Sequence, residues 1–208
     1  MNKNILILQH ISVEDPGFIK DLMIKDKFNL KTVKLYEGEK IPENLKKYDA
    51  MFSMGGPMDT WMESKYPWLK DEKKAIYEYV VKLNKPFLGF CLGCQLLGEV
   101  LGGTVEKMKK SEIGILDLSM QDGHTGDTLF QHFDPTIKVL QWHSYEVNNL
   151  NGVKVLASSN LCKYQAFRYK QHAYGIQFHL EAKNNTIKSW ASIPEYKKSL
   201  ENSLGPGS

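Results

Sequence analysis

Pro86-Phe-Leu-Gly-Phe-Cys91-Leu-Gly-Cys-Gln95-Leu-Leu-Gly-Glu-Val-Leu-Gly-Gly103 decides the fold. A short apolar strand runs into an apolar helix, a cysteine stands at the junction, and glycines lie two residues before and after it. This spacing describes a nucleophile elbow, in which strand and helix approach so closely that the flanking positions must lack a Cβ, as Gly89 and Gly93 do. The tip of such a turn is also a helix N-terminus, where unpaired N–H groups and the helix dipole attract negative charge. Cys91 is the candidate nucleophile.

A cysteine nucleophile needs a base to carry its proton, and the base needs a third group to fix its tautomer. Ala173-Tyr-Gly-Ile-Gln-Phe178 reads as a buried strand, and His179-Leu180-Glu181 follows at its end. Residues two apart in extended chain point to the same side, so His179 and Glu181 can interact.

Outward from these two segments, apolar runs at 5–8, 32–35, 50–53, 86–90, 138–141, 154–157 and 174–178 are read as strands. Helical patterns lie near 17–27, 68–82 and 95–101. Strands separated by helix-length segments imply βαβ units and a mainly parallel sheet. Such sheets bind ligands beyond the C-terminal ends of their strands, and Gln9-His10, Gly55-Gly56, Cys91 and His179 all stand just past such ends. Residues 104–121 alternate in a β-like way and are followed by the turn-rich Asp122-Gly-His-Thr-Gly-Asp127, so an antiparallel excursion is expected there. Residues 185–200 predict a helix broken at Pro194. One domain over 1–203 is expected, with linker-like 204–208 set aside.

These residues resemble the class I (triad) glutamine amidotransferase family. The likeness rests on Gly89-Phe-Cys91-Leu-Gly93-Cys-Gln95 and Tyr174-Gly-Ile-Gln-Phe-His179-Leu-Glu181. It extends to Met54-Gly55-Gly56-Pro57-Met58, similar to that family's oxyanion loop, and to Gln141-Trp-His143-Ser-Tyr145, similar to its substrate segment. Gln9-His10, Glu14-Asp-Pro-Gly17, Tyr66-Pro-Trp-Leu69, Glu112-Ile-Gly114, Ala157-Ser-Ser159 and Gln165-Ala-Phe-Arg168 further resemble its stand-alone, GMP-synthase-like branch, which includes γ-glutamyl peptidases and γ-glutamyl amide hydrolases. Leu180 stands where many members have proline, and Ser144 where glycine is common.

The resemblance implies an α/β, flavodoxin-like open sheet, mainly parallel, with helices on both faces and a small antiparallel excursion. It implies hydrolysis of a γ-glutamyl amide through a cysteinyl glutamyl-thioester, with Cys91, His179 and Glu181 catalytic. The Gly56 and Leu92 N–H groups would form the oxyanion hole, and Gly55, Gln95, Trp142, Ser144 and Tyr145 would bind a small γ-glutamyl substrate. Neither a metal nor an organic cofactor is called for. The alternative is a glutaminase that delivers ammonia to a separate synthetase subunit.

Cys91-Leu-Gly-Cys94 is also the C-x-x-C of a thiol redox pair, which likewise follows a strand and opens a helix. A redox pair gives no reason for the flanking glycines, for Gln95 or for His179-x-Glu181, and a zinc half-site lacks a second pair of ligands at suitable spacing. Cys94 is read as a small buried residue. His124, His132 and His172 are expected at the surface and His143 in a supporting role, while His10 either contacts ligand or caps a loop.

At 208 residues and 42% hydrophobic the chain can bury a substantial core. It carries no P-loop-like nucleotide motif. A formal charge of +3 with dispersed lysines argues against a nucleic-acid partner. No run approaches the roughly 20 apolar residues of a membrane helix. Three cysteines, an odd count, argue against a disulfide framework, and the expected location is cytoplasmic.

Overall fold

The computed structural model describes residues 2–208. Its nine strands form one sheet in the order β2-β1-β3-β4-β9-β8-β7-β5-β6. The strands are β1 (Asn4–Gln9), β2 (Asn29–Lys34), β3 (Ala50–Ser53), β4 (Phe87–Phe90), β5 (Thr104–Met120), β6 (Thr136–Asn148), β7 (Val153–Ser158), β8 (Ala166–Tyr169) and β9 (Ala173–Ile176). The helices are α1 (Gly17–Lys25), α2 (Trp68–Ile76), α3 (Leu92–Val100), α4 (Thr186–Ala191) and α5 (Pro194–Leu204). A wider π-helical stretch, Tyr77–Lys82, continues α2.

Strands β2, β1, β3, β4 and β9 are parallel neighbours, and their side chains explain why. Within β1, Leu6 and Leu8 pack into a core with Leu69 and Ile76 of α2 and Leu96 and Leu97 of α3. The alternating Ile5 and Ile7 pack on the other side with Met23 of α1 and Phe178. A strand apolar on both faces is what a sheet covered by helices on both sides requires. The fold class expected from the sequence is the one present.

The antiparallel part is larger than a small excursion. Strands β8, β7, β5 and β6 complete the sheet through four antiparallel pairings, and they include the runs at 138–141 and 154–157. The segments joining β6 to β7, β7 to β8 and β8 to β9 are short and hold no helix, so they cannot make the crossover that parallel neighbours need. β8 itself was not expected as a strand.

Pro194 divides the C-terminal segment as expected, standing at the first turn of α5, where its missing N–H costs nothing. Trp190 and Tyr196 from α4 and α5 pack with Ile113, Leu140 and Trp142 of the β5–β6 pair. This third cluster lays both helices beside the C-terminal ends of the parallel strands. Among the described residues no helix is long and apolar enough to cross a membrane.

Candidate active site

Cys91 sits between β4 and α3 with φ 48° and ψ −100°, a region that non-glycine residues rarely occupy and that the surrounding structure must enforce. The enforcement is visible in its neighbours. A Cβ on Gly89 would lie 2.4 Å from the Gly93 carbonyl oxygen, and one on Gly93 would lie 2.2 Å from the Ser53 carbonyl oxygen. Cys91 N–H donates to Ile176 O at 2.9 Å, tying the elbow to β9. Cys91 is half-buried and free. Cys94 and Cys162 are also free but buried, and burial pushes both thiols up from their ordinary range.

His179 is carried past the end of β9 and held there by its N–H donating to Leu140 O at 2.9 Å. Its Nδ1 lies 2.7 Å from Glu181 Oε1, and the edge of its ring meets Trp190 with centroids 4.5 Å apart. Burial opposes a charge on this imidazole. The Glu181 carboxylate and the Cys91 thiol beside it more than offset that and hold it well above its ordinary range.

A cleft opens above these residues. Cys91, Gly56, Gln95, Trp142, Ser144 and Tyr145, all expected at the site, line it. Gln95 donates from Nε2 to Tyr145 O and to Gln177 Oε1, both at 3.2 Å, which fixes one cleft wall. Ser144 Oγ accepts from Ser111 Oγ at 2.8 Å, and Tyr145 meets Trp61 edge-on at 4.8 Å. Leu92 is buried at the first position of α3, where a helix leaves its amide donors without intrahelical partners. His143 also lines the cleft, and it binds Tyr145 O through Nδ1 at 2.9 Å and Glu112 Oε2 through Nε2 at 3.1 Å. Gln165 adds a 2.6 Å hydrogen bond to the same Glu112 oxygen. Both ring nitrogens of His143 are therefore engaged within the chain.

Gly55 is placed differently from Gly56. Its carbonyl accepts from His10 Nδ1 at 3.0 Å, and it does not line the cleft. His10 is wholly buried, which excludes the ligand contact that the sequence left open and leaves it pinning a loop. Its other nitrogen meets Glu72 Oε2 at 2.8 Å, and Ser53 Oγ donates to Glu72 Oε1 at 2.7 Å. The sequence gives no sign that α5 reaches the site. Tyr196, with Glu195 and Ser199 of α5, closes one side of the cleft, and its hydroxyl donates to Glu14 Oε1 at 2.6 Å.

Glu14 is buried beside His179 and Glu181, the three offering ligand-type atoms within 4.8 Å of one another. Their hydrogen bonds commit His179 Nδ1 to Glu181 and Glu14 Oε1 to Tyr196. Among the described residues Glu14 Oε2 and Glu181 Oε2 have no hydrogen-bond partner. Burial, reinforced by the Glu181 charge against the opposing pull of His179, pushes the Glu14 carboxyl up to about 7. It therefore keeps its proton well past the ordinary carboxylic range.

With this geometry in view, the known relatives fall into place. The family model for glutamine amidotransferase class-I matches residues 19–190. The chain is 36% identical over 171 residues to one of the subunits of the glutamine-hydrolysing GMP synthase of Sulfurisphaera tokodaii, covering 81% of this chain and 86% of that protein. It is 29% identical over 175 residues to the putative glutamine amidotransferase-like protein YfeJ of Salmonella typhimurium, covering 83% and 73%. A solved glutamine amidotransferase from Thermotoga maritima superposes with a TM-score of 0.87 at 32% identity, covering 97% of this chain and 85% of that one. The chain belongs to the class-I glutamine amidotransferases, a family of glutamine-hydrolysing enzymes.

Proposed function

We propose that this chain hydrolyses a γ-glutamyl amide, glutamine or a γ-glutamyl amine or peptide, through a thioester on Cys91. The observation that carries the reading is the strained Cys91 at the floor of a cleft, next to an imidazole already hydrogen-bonded at 2.7 Å to a carboxylate. Cys91 attacks the γ-carbonyl carbon as the thiolate, its proton held on His179. The Gly56 and Leu92 N–H groups stabilise the oxyanion. His179 then gives the proton to the leaving nitrogen, the C–N bond breaks, and a glutamyl thioester remains. Water attacks the thioester with His179 accepting its proton, which returns to sulfur as glutamate departs. Glu181 keeps the ring oriented throughout. Gln95, Trp142, Ser144 and Tyr145 shape the pocket for the glutamyl part. The chemistry requires a free thiol and so suits a reducing, cytoplasmic setting.

The leaving amine separates two readings. Self-sufficient hydrolysis is favoured by a site whose parts are all held from within the chain, the loop at Gly55 included. A glutaminase role beside a separate synthetase is favoured by the similarity to a protein that is itself one subunit of a GMP synthase. Steady-state assay of the isolated chain over glutamine, γ-glutamyl alkylamides and γ-glutamyl dipeptides decides between them. Self-sufficient hydrolysis predicts that at least one amine or peptide conjugate has a higher kcat/KM than glutamine. Negligible turnover of the whole panel, with glutamine hydrolysis appearing only when a synthetase partner is added, establishes the second role.

A further inference from the structure

We propose that His10 and Glu72 are positioning residues that hold the Gly55–Gly56 peptide in the orientation aiming the Gly56 N–H into the cleft. The inference deepens the hydrolase reading above and rests on it for the role of the oxyanion.

The geometry carries it. A trans peptide keeps its C=O and N–H on opposite sides, so fastening the Gly55 carbonyl to His10 turns the Gly56 N–H away from His10. The side so faced is the cleft, which Gly56 lines. Glycines on both sides of this peptide leave it cheap to rotate, so an external hold is needed to keep one orientation. Among the described residues no backbone group of the chain accepts from the Gly56 N–H.

His10 can provide that hold only while Nδ1 carries a hydrogen, because a carbonyl oxygen can only accept. Glu72 ensures it. Its carboxyl lies 3.0 and 2.8 Å from Nε2 through its two oxygens, so the ring has an acceptor at each nitrogen. The imidazolium satisfies both, and a neutral ring with its hydrogen on Nε2 is excluded by the Gly55 carbonyl. Burial works against the charged ring, but the Glu72 pairing and the Gly55 carbonyl outweigh it and raise His10 above its ordinary range. Trp68 stacks on the ring 5.3 Å away and 14° from parallel, and Ser53 donates to Glu72 Oε1, which braces the pair. The charged groups facing His10 are Glu72 on α2 and Glu14 on the loop after β1. All of these residues belong to this chain, so the N–H is aimed without a docked partner.

The test compares three properties of wild type, His10→Gln, His10→Asn and Glu72→Gln in the full chain. They are kcat and KM on a γ-glutamyl amide, the affinity of an aldehyde analogue of glutamine whose thiohemiacetal oxygen must enter the oxyanion hole, and the rate of Cys91 alkylation by iodoacetamide, which needs no oxyanion. A glutamine in place of His10 can reach Glu72 but not Gly55, whereas asparagine puts its amide nitrogen near the Nδ1 position. We expect His10→Gln to lower kcat on the order of 10²-fold, the usual worth of one oxyanion donor, with KM changed less than about threefold. Aldehyde affinity should fall in proportion, alkylation should stay within about twofold, and His10→Asn should recover part of the loss. Glu72→Gln, the gentler change, should show the same pattern more weakly. Unchanged aldehyde affinity in folded variants overturns the proposal, as does alkylation falling in step with kcat, or asparagine and glutamine proving equally damaging. If wild type hydrolyses no γ-glutamyl compound, the functional reading fails, and the ratio of aldehyde affinity to alkylation rate still decides the positioning role.

Discussion

Replacing Glu14 with glutamine should make the protein more stable at alkaline pH and not at acidic pH. The carboxyl is fully buried beside Glu181 and His179, and it is pushed up to about 7 from an ordinary 4.5. A raised folded-state value means that the folded protein holds this proton more tightly than the unfolded chain. Its contribution to stability is complete below pH 4.5 and is lost as pH rises through 7. At about 1.4 kcal/mol per pH unit, that interval makes the ionised group cost on the order of 3 kcal/mol at about pH 8. Glutamine keeps the shape and an acceptor for Tyr196 but cannot ionise. Urea unfolding at about pH 5 and about pH 8 should give Glu14→Gln close to wild type at the lower pH and up to about 3 kcal/mol more stable at the higher. Taking variant minus wild type at each pH cancels every titration that does not touch Glu14. An equal difference at both values would refute the reasoning, because it would mean that Glu14 ionises in the folded protein as it does in water.

Three other outcomes follow from the site. A glutamine-like electrophile should label Cys91 and spare Cys94 and Cys162, whose thiols are buried and pushed up; peptide mass mapping reads the result, and label on Cys94 or Cys162 with Cys91 free would return the redox reading. His179→Ala should lose nearly all turnover, whereas Glu181→Gln should retain at least about tenfold more, because Glu181 orients the ring and does not transfer the proton; equal losses in folded variants, checked by circular dichroism, contradict that division. Gly93→Ala should be destabilising by at least about 1–3 kcal/mol, as overpacking usually is, since its Cβ would sit 2.2 Å from the Ser53 carbonyl oxygen; a denaturation midpoint matching wild type would show that the elbow has slack the geometry does not reveal.

How much of this was legible depends on sequence distance. The elbow could be read because Gly89, Cys91 and Gly93 constrain one another within a single turn, and His179 and Glu181 because they stand two residues apart, although β9 ends at Ile176 and the pair meets on the bent segment after it. Pro194 announced the break before α5 by its missing N–H. The antiparallel half was harder. β8 spans only four residues, Ala166–Tyr169, of which the first three are buried, so it shows no alternation to distinguish it from a loop. The contact of Tyr196 with Glu14 joins residues 182 positions apart, and no local pattern marks either side chain as half of a pair. His10 could be placed at a strand end from sequence alone. That it faces inward to Glu72, 62 positions away, depends on the packing of α2 across the sheet. Gly55 and Gly56 look alike in the sequence, and only the hydrogen bond to His10 shows that the Gly55 carbonyl faces the core, while Gly56 lines the cleft.

The central claim is that γ-glutamyl transfer passes through Cys91, and trapping the intermediate tests it most directly. The full chain is mixed with a γ-glutamyl amide that it turns over, quenched in acid within the first turnovers, and examined by intact-mass and peptide mass spectrometry. The account predicts a glutamyl adduct on the peptide containing Cys91, absent from Cys91→Ala and lost when the mixture is left to hydrolyse before quenching. Hydrolysis that persists in Cys91→Ala, with no adduct on Cys91 in the wild type, would contradict it.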